Sequence, residues 1–168
     1  MKANSLADHA TLMTSVLMLS TAPVLVKFLT IEPIVILFWR LLIVSFLLLP
    51  FAYKELGKMT KKDFKNILVA SCIFFVHFLS WFSGVQMLDI GVTAVTFASN
   101  PIFTAIIGFL VLREAFKKRY FVAICASILG IYTAYFSNGK TDSTPQGIIL
   151  ILIAALCYSA YMVYSKRN

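Results

Sequence analysis

Six runs of apolar residues, each long enough to cross a lipid bilayer, constrain this chain more than any other feature of its sequence. They fall at 10–29, 33–53, 67–88, 90–112, 120–136 and 147–165. A hydrocarbon core of about 30 Å takes roughly 20 residues of helix at 1.5 Å per residue, so every run is of spanning size or close to it. The composition agrees: 60% of the 168 residues are hydrophobic and 13% charged, a surplus of apolar side chain that a soluble core of this size does not bury. The runs are continuous, without the alternation of a membrane strand, and a backbone in lipid must satisfy its own hydrogen bonds. The expected fold class is therefore all-α, a polytopic helical membrane protein with six transmembrane helices.

Fifteen Lys and Arg against seven Asp and Glu give a net charge of +8, which in a soluble protein would suggest nucleic-acid binding. Their placement argues otherwise, because they gather in the connections. Lys54, Lys58, Lys61, Lys62 and Lys65 crowd the second connection, and Arg113, Lys117, Lys118 and Arg119 the fourth. With Lys2, Lys166 and Arg167 they all fall on one side of the bilayer. Lys140 lies on the other side, and Lys27 close to it. The positive-inside rule then predicts a cytoplasmic (inner) membrane location, multi-pass, with both termini cytoplasmic and no nucleic-acid partner. The first run follows Lys2 as a signal sequence would. It is expected to be retained, being long and lacking a small-residue cleavage pattern. Cys72, Cys125 and Cys157 each stand alone within an apolar run, and they read as packing residues.

Short connections around Thr30–Glu32 and Asp89 force neighbouring helices into antiparallel hairpins. The stretch 137–146 differs, being rich in Ser, Asn, Thr, Gly and Pro, and reads as a linker. Beyond it, laying the last helix over the first with an offset of 139 residues pairs Leu17 with Leu156, Ser20 with Ser159, Val24 with Val163 and Lys27 with Lys166. The expected organisation is a five-helix repeat at 1–136, a linker at 137–146, and the first helix of a truncated second repeat at 147–168. Five crossings are an odd number, so a second copy would be upside down. That is the first half of an inverted-repeat transporter, an architecture in which substrate sits near the midplane and one repeat rocks against the other.

Particular residues carry a resemblance. Phe38-Trp39-Arg40, the region of Trp81, Gly91-Val92-Thr93-Ala94, Asn100-Pro101-Ile102-Phe103 and Arg113-Glu114 follow one another in an order and spacing similar to the EamA-type repeat of the drug/metabolite transporter superfamily. The likeness covers roughly residues 10–136, and the last helix resembles the opening of a second repeat. It implies a ten-helix exporter or permease of small metabolites such as amino acids, their derivatives or nucleotide sugars. The chain ends at Asn168, short of ten helices. A second reading therefore stays open, a non-transporting membrane fragment or an assembly subunit that requires a partner chain.

Arg40 is the sharpest candidate for a substrate contact. It lies seven residues into its span, where a charge is costly against lipid. Its guanidinium offers a bidentate fork to an anionic group such as a carboxylate, although an arginine satisfied by backbone carbonyls would look the same in sequence. Thr93, Thr96, Asn100 and Thr104 recur at helical spacing and place polar atoms along one face of the fourth span, suited to lining an aqueous cavity or to joining helices. Pro101 removes an N–H and predicts a kink beside Asn100. His77 and Trp81 share a face with Gly84. A lone histidine without a carboxylate is more often a hydrogen-bonded core residue than a proton relay. Ala126, Gly130 and Ala134 form a small-residue seam suited to close helix packing.

Absences narrow the function further. All seven acids, Asp8, Glu32, Glu55, Asp63, Asp89, Glu114 and Asp142, stand at or beyond helix ends. No carboxylate sits at mid-membrane, as a four-helix proton-coupled multidrug antiporter would require, and no paired-carboxylate, Ser-His-Asp, metal-ligand or phosphate-loop pattern occurs. The sequence therefore calls for no enzymatic activity, cofactor or metal. The partners it implies are the lipid bilayer, a small polar or anionic metabolite, and a missing second repeat or partner chain.

Overall fold

The computed structural model describes residues 5–57, 59–112, 119–136 and 143–167. Among them there is no strand. The helices are α1 (Ser5–Phe28), α2 (Pro33–Leu56), α3 (Lys61–Gln86), α4 (Ile90–Phe97), α5 (Asn100–Leu112), α6 (Arg119–Phe136) and α7 (Pro145–Arg167). Helices α1, α2, α3 and α7, together with the pair α4–α5, are long and apolar enough to cross a membrane, and α6 carries a shorter apolar stretch at Ile124–Phe136. This is a helical membrane protein. Lys2, Lys58, the Arg113-Glu114 end of the fourth span, Lys117, Lys118 and the linker residues through Asp142 lie outside the described residues.

Helix α1 stands as one unit and the chain from Ile31 onward as another. Within α1, the hydroxyls of Thr14, Ser15 and Ser20 donate to carbonyls four residues back, at 2.9, 2.8 and 2.8 Å. Thr21 does the same three residues back, at 2.8 Å. Folding a hydroxyl onto its own helix is how such a side chain stays satisfied where water is absent.

In the second unit, α7 is the central element and packs along α3 and against α4 and α5. Its buried residues, Gly147, Ile151, Ala154, Ala155, Ser159 and Val163, form a mostly small-sided stripe, which lets backbones approach closely. The nearest approach is to α3. A Cβ added to Gly84 would lie 2.8 Å from Ile151, and one added to Gly147 would lie 2.7 Å from Leu88 Cγ. α3 thus presents Gly84 to Ile151 of α7, and α7 presents Gly147 to Leu88, two residues past the end of α3. At one end of this pair the Thr144 N–H donates to the Met87 carbonyl at 3.1 Å and the Asp89 N–H to the Ser143 hydroxyl at 3.0 Å. At the other end Tyr164 donates to the Asn66 side chain at 3.2 Å. The two helices therefore run antiparallel over their full length, which puts Lys61, Lys62 and Lys65 at the same end of the bundle as Lys166 and Arg167.

Helix α3 starts at a capping box: the Thr60 hydroxyl accepts from the Asp63 N–H at 3.2 Å, and the Asp63 carboxylate accepts from the Thr60 N–H at 3.0 Å. Two donors that the first turn leaves unpaired are met reciprocally. Helix α2 packs against α3 and turns Phe46, Leu47 and Phe51 outward, a face suited to lipid. Helix α6 packs on α4 and α5. Gly130, from the Ala126–Gly130–Ala134 seam, is where Val95 comes close, 3.1 Å from the position a Cβ would take.

The fourth span is two helices rather than one bent helix. Pro101 has no N–H for the Phe97 carbonyl, and the break comes a turn ahead of it. The Ser99 N–H bonds to the Thr96 carbonyl at 3.2 Å, and α5 begins at Asn100 with Ile102 N–H bonding to the Ser99 carbonyl at 2.9 Å. The Ser99 hydroxyl also donates to the Thr96 carbonyl, at 2.7 Å. One carbonyl at the break thus carries both the backbone and the side-chain donor of Ser99.

Candidate functional site

The candidate residues fall into two groups, one around Arg40 and His77 and one around the break in the fourth span. Phe74, Phe78 and Phe82 recur every four residues along α3 and so share a face. The Arg40 guanidinium carbon lies 4.8 Å from the centroid of the Phe78 ring and 5.7 Å from that of Phe82, within cation–π range. Arg40 itself is exposed, and no described carboxylate pairs with it. Two negative ring faces hold this cation where an acid would ordinarily stand.

Immediately before Phe78 on α3, His77 is buried, its Nδ1 2.8 Å from the Ala154 carbonyl oxygen of α7. A carbonyl can only accept, so Nδ1 carries the proton in this contact, and a neutral imidazole then keeps Nε2 as an acceptor. The ring is set among Phe74, Phe78, Tyr158 and Phe97, with centroids 5.4, 5.2, 5.2 and 6.0 Å away. Trp81 is half-buried and meets Phe82 edge-on at 5.2 Å. The group around Arg40 is thus aromatic on most sides, with a cation and one histidine nitrogen as its polar features.

At the break, the Ser159 hydroxyl of α7 donates to the Asn100 carboxamide oxygen and lies 3.1 Å from the Asn100 carbonyl. The Thr104 hydroxyl has two acceptors within reach, the Asn100 carbonyl at 3.2 Å and Ser159 at 3.0 Å. Three polar side chains from α5 and α7 therefore close into one network. Thr93 turns its hydroxyl back to the Asp89 carbonyl at 3.0 Å. Thr96 differs from its neighbours: it has no exposed surface, and its hydroxyl has no hydrogen-bond partner among the described residues. Asn100 and Thr104 come together, while Thr93 and Thr96 lie on the preceding short helix, buried. Among the described residues no cluster of His, Cys, Asp and Glu has the makings of a metal site.

Ser159 and the α3 phenylalanines complete these two groups and are not singled out by type. Their signals were positional: Ser159 is the residue paired with Ser20 across the offset of 139, and the phenylalanines sit at a spacing of four.

Residues 9–136 match the EamA-like transporter family, and the chain belongs to it. Three relatives give the same class. The chain is 31% identical over 133 residues to an uncharacterized transporter, YdfC, of Bacillus subtilis (strain 168), a match covering 77% of this chain and 43% of the relative. It is 27% identical over 135 residues to a second from that organism, YetK, covering 76% of this chain and 41% of the relative. With an uncharacterized transporter of Clostridium kluyveri it shares 28% over 155 residues, 82% of this chain and 47% of the relative. The chain spans about half the length of these curated relatives. No solved structure matches it. It is a multi-pass membrane protein of a transporter family.

Proposed function

We propose that this chain forms one half of a carrier that moves a small polar or anionic metabolite across the cytoplasmic membrane by alternating access. Arg40 anchors the substrate, and His77, Trp81, Thr93, Thr96, Asn100 and Thr104 contribute to the chamber. The observation that carries the reading is Arg40 over two phenylalanine faces with no described carboxylate beside it. A cation at the centre of a span costs about 2.5–3.5 kcal/mol on insertion scales, an upper bound for Arg40, which lies a third of the way into Pro33–Tyr53. Cation–π contacts return about 0.5–2 kcal/mol. An anionic ligand taken in the guanidinium fork would add to this stabilisation.

Both termini are assigned to the cytoplasm. The start of α3 and the end of α7 share one side, and together they carry Lys61, Lys62, Lys65, Lys166 and Arg167, the sign the positive-inside rule assigns to that side. The alternative, a membrane subunit that acts only with a partner chain, draws on the matched stretch being under half the length of the relatives.

The test is counterflow of labelled amino acids and other small carboxylates in proteoliposomes, with the protein alone and with the rest of a relative co-reconstituted. Arg40→Ala is expected to abolish flux while the protein stays inserted. Arg40→Lys should transport weakly, since it keeps the charge but loses the fork. Unchanged flux in Arg40→Ala removes the anchor role, and flux seen only with the added half favours the subunit.

A further inference from the structure

Lys61, Phe64, Lys65 and Leu68 succeed one another at helical spacing along the first turns of α3 and so share one face. All four are exposed, Phe64 at 61% and Leu68 at 53%. The opposite face of the same turns is taken by α7, where Tyr164 donates to Asn66 at 3.2 Å. We propose that the outward face binds an anionic phospholipid, its phosphate held between Lys61 and Lys65 and its acyl chains lying over Phe64 and Leu68.

The order of residue types along the axis is that of a lipid molecule. Lys61 and Lys65 are four residues apart, about 6 Å along a helix. A headgroup layer is about 5–8 Å deep on each side of the hydrocarbon, so the two ammonium groups cover that layer. Leu68 lies about 4.5 Å further in, within the apolar run that begins at residue 67. Lysine stems bury along apolar surface while their heads stay at the phosphates, and Phe64 stands between the two heads as the first surface a chain meets.

Charge at this end of the bundle has one sign. The last turn of α2 brings Lys54 and Glu55, the start of α3 brings Lys61, Lys62, Asp63 and Lys65, and the end of α7 brings Lys166 and Arg167. Six cations thus stand against two acids. Asp63 is turned into the cap of its own helix, accepting from the Thr60 N–H at 3.0 Å and the Thr60 hydroxyl at 2.7 Å. A phosphate is the complement of such a cluster, and basic sites between helix ends are where anionic headgroups collect. Apolar side chains directly beneath the cations select a phosphate that carries acyl chains over a soluble one. Binding at this face does not depend on whether the chain transports.

The test is binding of phosphatidylglycerol with a fluorescent chain to the full chain in uncharged micelles, followed by anisotropy. A lysine beside an anionic lipid surface contributes about fivefold in binding. Lys61→Gln/Lys65→Gln is therefore expected to weaken binding roughly 25-fold. Lys117→Gln/Lys118→Gln removes the same charge from the fourth connection and is expected to stay within about twofold of wild type, its charges being screened beyond a Debye length. In the wild-type protein, phosphatidylcholine of the same chain length should compete about tenfold less well than phosphatidylglycerol, and added salt should weaken binding.

Equal loss in the two double variants overturns the proposal, since the attraction would then belong to the basic surface at large. Equal competition by phosphatidylcholine and phosphatidylglycerol in the wild-type protein overturns it without recourse to a variant. So does competition by glycerol phosphate as strong as by the lipid, which would make the ligand a free phosphate, and so does binding that Phe64→Ala leaves unchanged.

Discussion

Replacing Gly147 by Ala tests whether the α3–α7 seam holds this bundle together. The added Cβ would stand 2.7 Å from Leu88 Cγ, 2.9 Å from Leu88 Cδ2 and 3.0 Å from Met87 Cβ. Carbon atoms pack favourably at about 3.5–4.0 Å, so the helices must part by roughly 1 Å or Leu88 must leave its place. Two of the three atoms are close to the backbone, Cγ as a branch point and Met87 as a Cβ, so rotation of a flexible chain end does not relieve the overlap. Alanine is favoured over glycine within a helix by about 1 kcal/mol. Overpacking a fitted seam costs about 1–3 kcal/mol, and here the overlap is severe enough to place the net effect on the destabilising side by about 1–2 kcal/mol. Gly91→Ala is the control, since nothing lies within 4 Å of the Cβ it would add and propensity acts alone. The assay is reversible unfolding in mixed micelles under increasing SDS, followed by tryptophan fluorescence from Trp39 and Trp81. If Gly147→Ala unfolds at the same SDS fraction as Gly91→Ala, the glycine contact is not what brings α7 onto α3.

Ser159→Ala removes the donor to Asn100 and is expected to lower stability in the same assay by about 0.5–1.5 kcal/mol, the range of hydrogen bonds between membrane helices; no loss would mean that Asn100 and Thr104 satisfy each other without α7. Thr96→Val keeps the shape and deletes a buried hydroxyl with no described partner. It should stabilise the protein by about 1 kcal/mol, and a destabilised variant would reveal a partner for that hydroxyl. For topology, Lys62→Cys and Arg167→Cys in a cysteine-free background should both stay unlabelled by an impermeant maleimide on intact cells and react once the membrane is opened. Labelling of one without the other would contradict the antiparallel pairing of α3 and α7.

The spans, the all-helical class and the family were legible because each rests on local information. A run of apolar residues must be a helix in lipid whatever surrounds it, and the Phe38-Trp39-Arg40 and Asn100-Pro101 motifs are contiguous in sequence. Pro101 marked a kink in the fourth span because an absent N–H is a property of the residue itself, though the structure makes of it two helices. The break lies in the turn before the proline, where the bond to the Phe97 carbonyl is lost, and Ser99 closes it with two donors to the Thr96 carbonyl, a detail that the letter S does not announce.

What only the tertiary structure decided is which helix meets which polar group. Thr93, Thr96, Asn100 and Thr104 share a helical face in sequence. Their hydroxyls and amide nevertheless have three different fates: one turns back on its own helix, one has no described partner, and two join Ser159. Arg40 reads from sequence as a cation in an apolar span, but the ring faces of Phe78 and Phe82 that hold it come from another helix. The reason is physical. Hydropathy along a chain measures a preference for lipid over water and is the same for every face of a buried helix. The choice between lipid and a neighbouring helix depends on small residues such as Gly84, Gly147 and Ala154, whose effect exists only where a second backbone arrives to use the space.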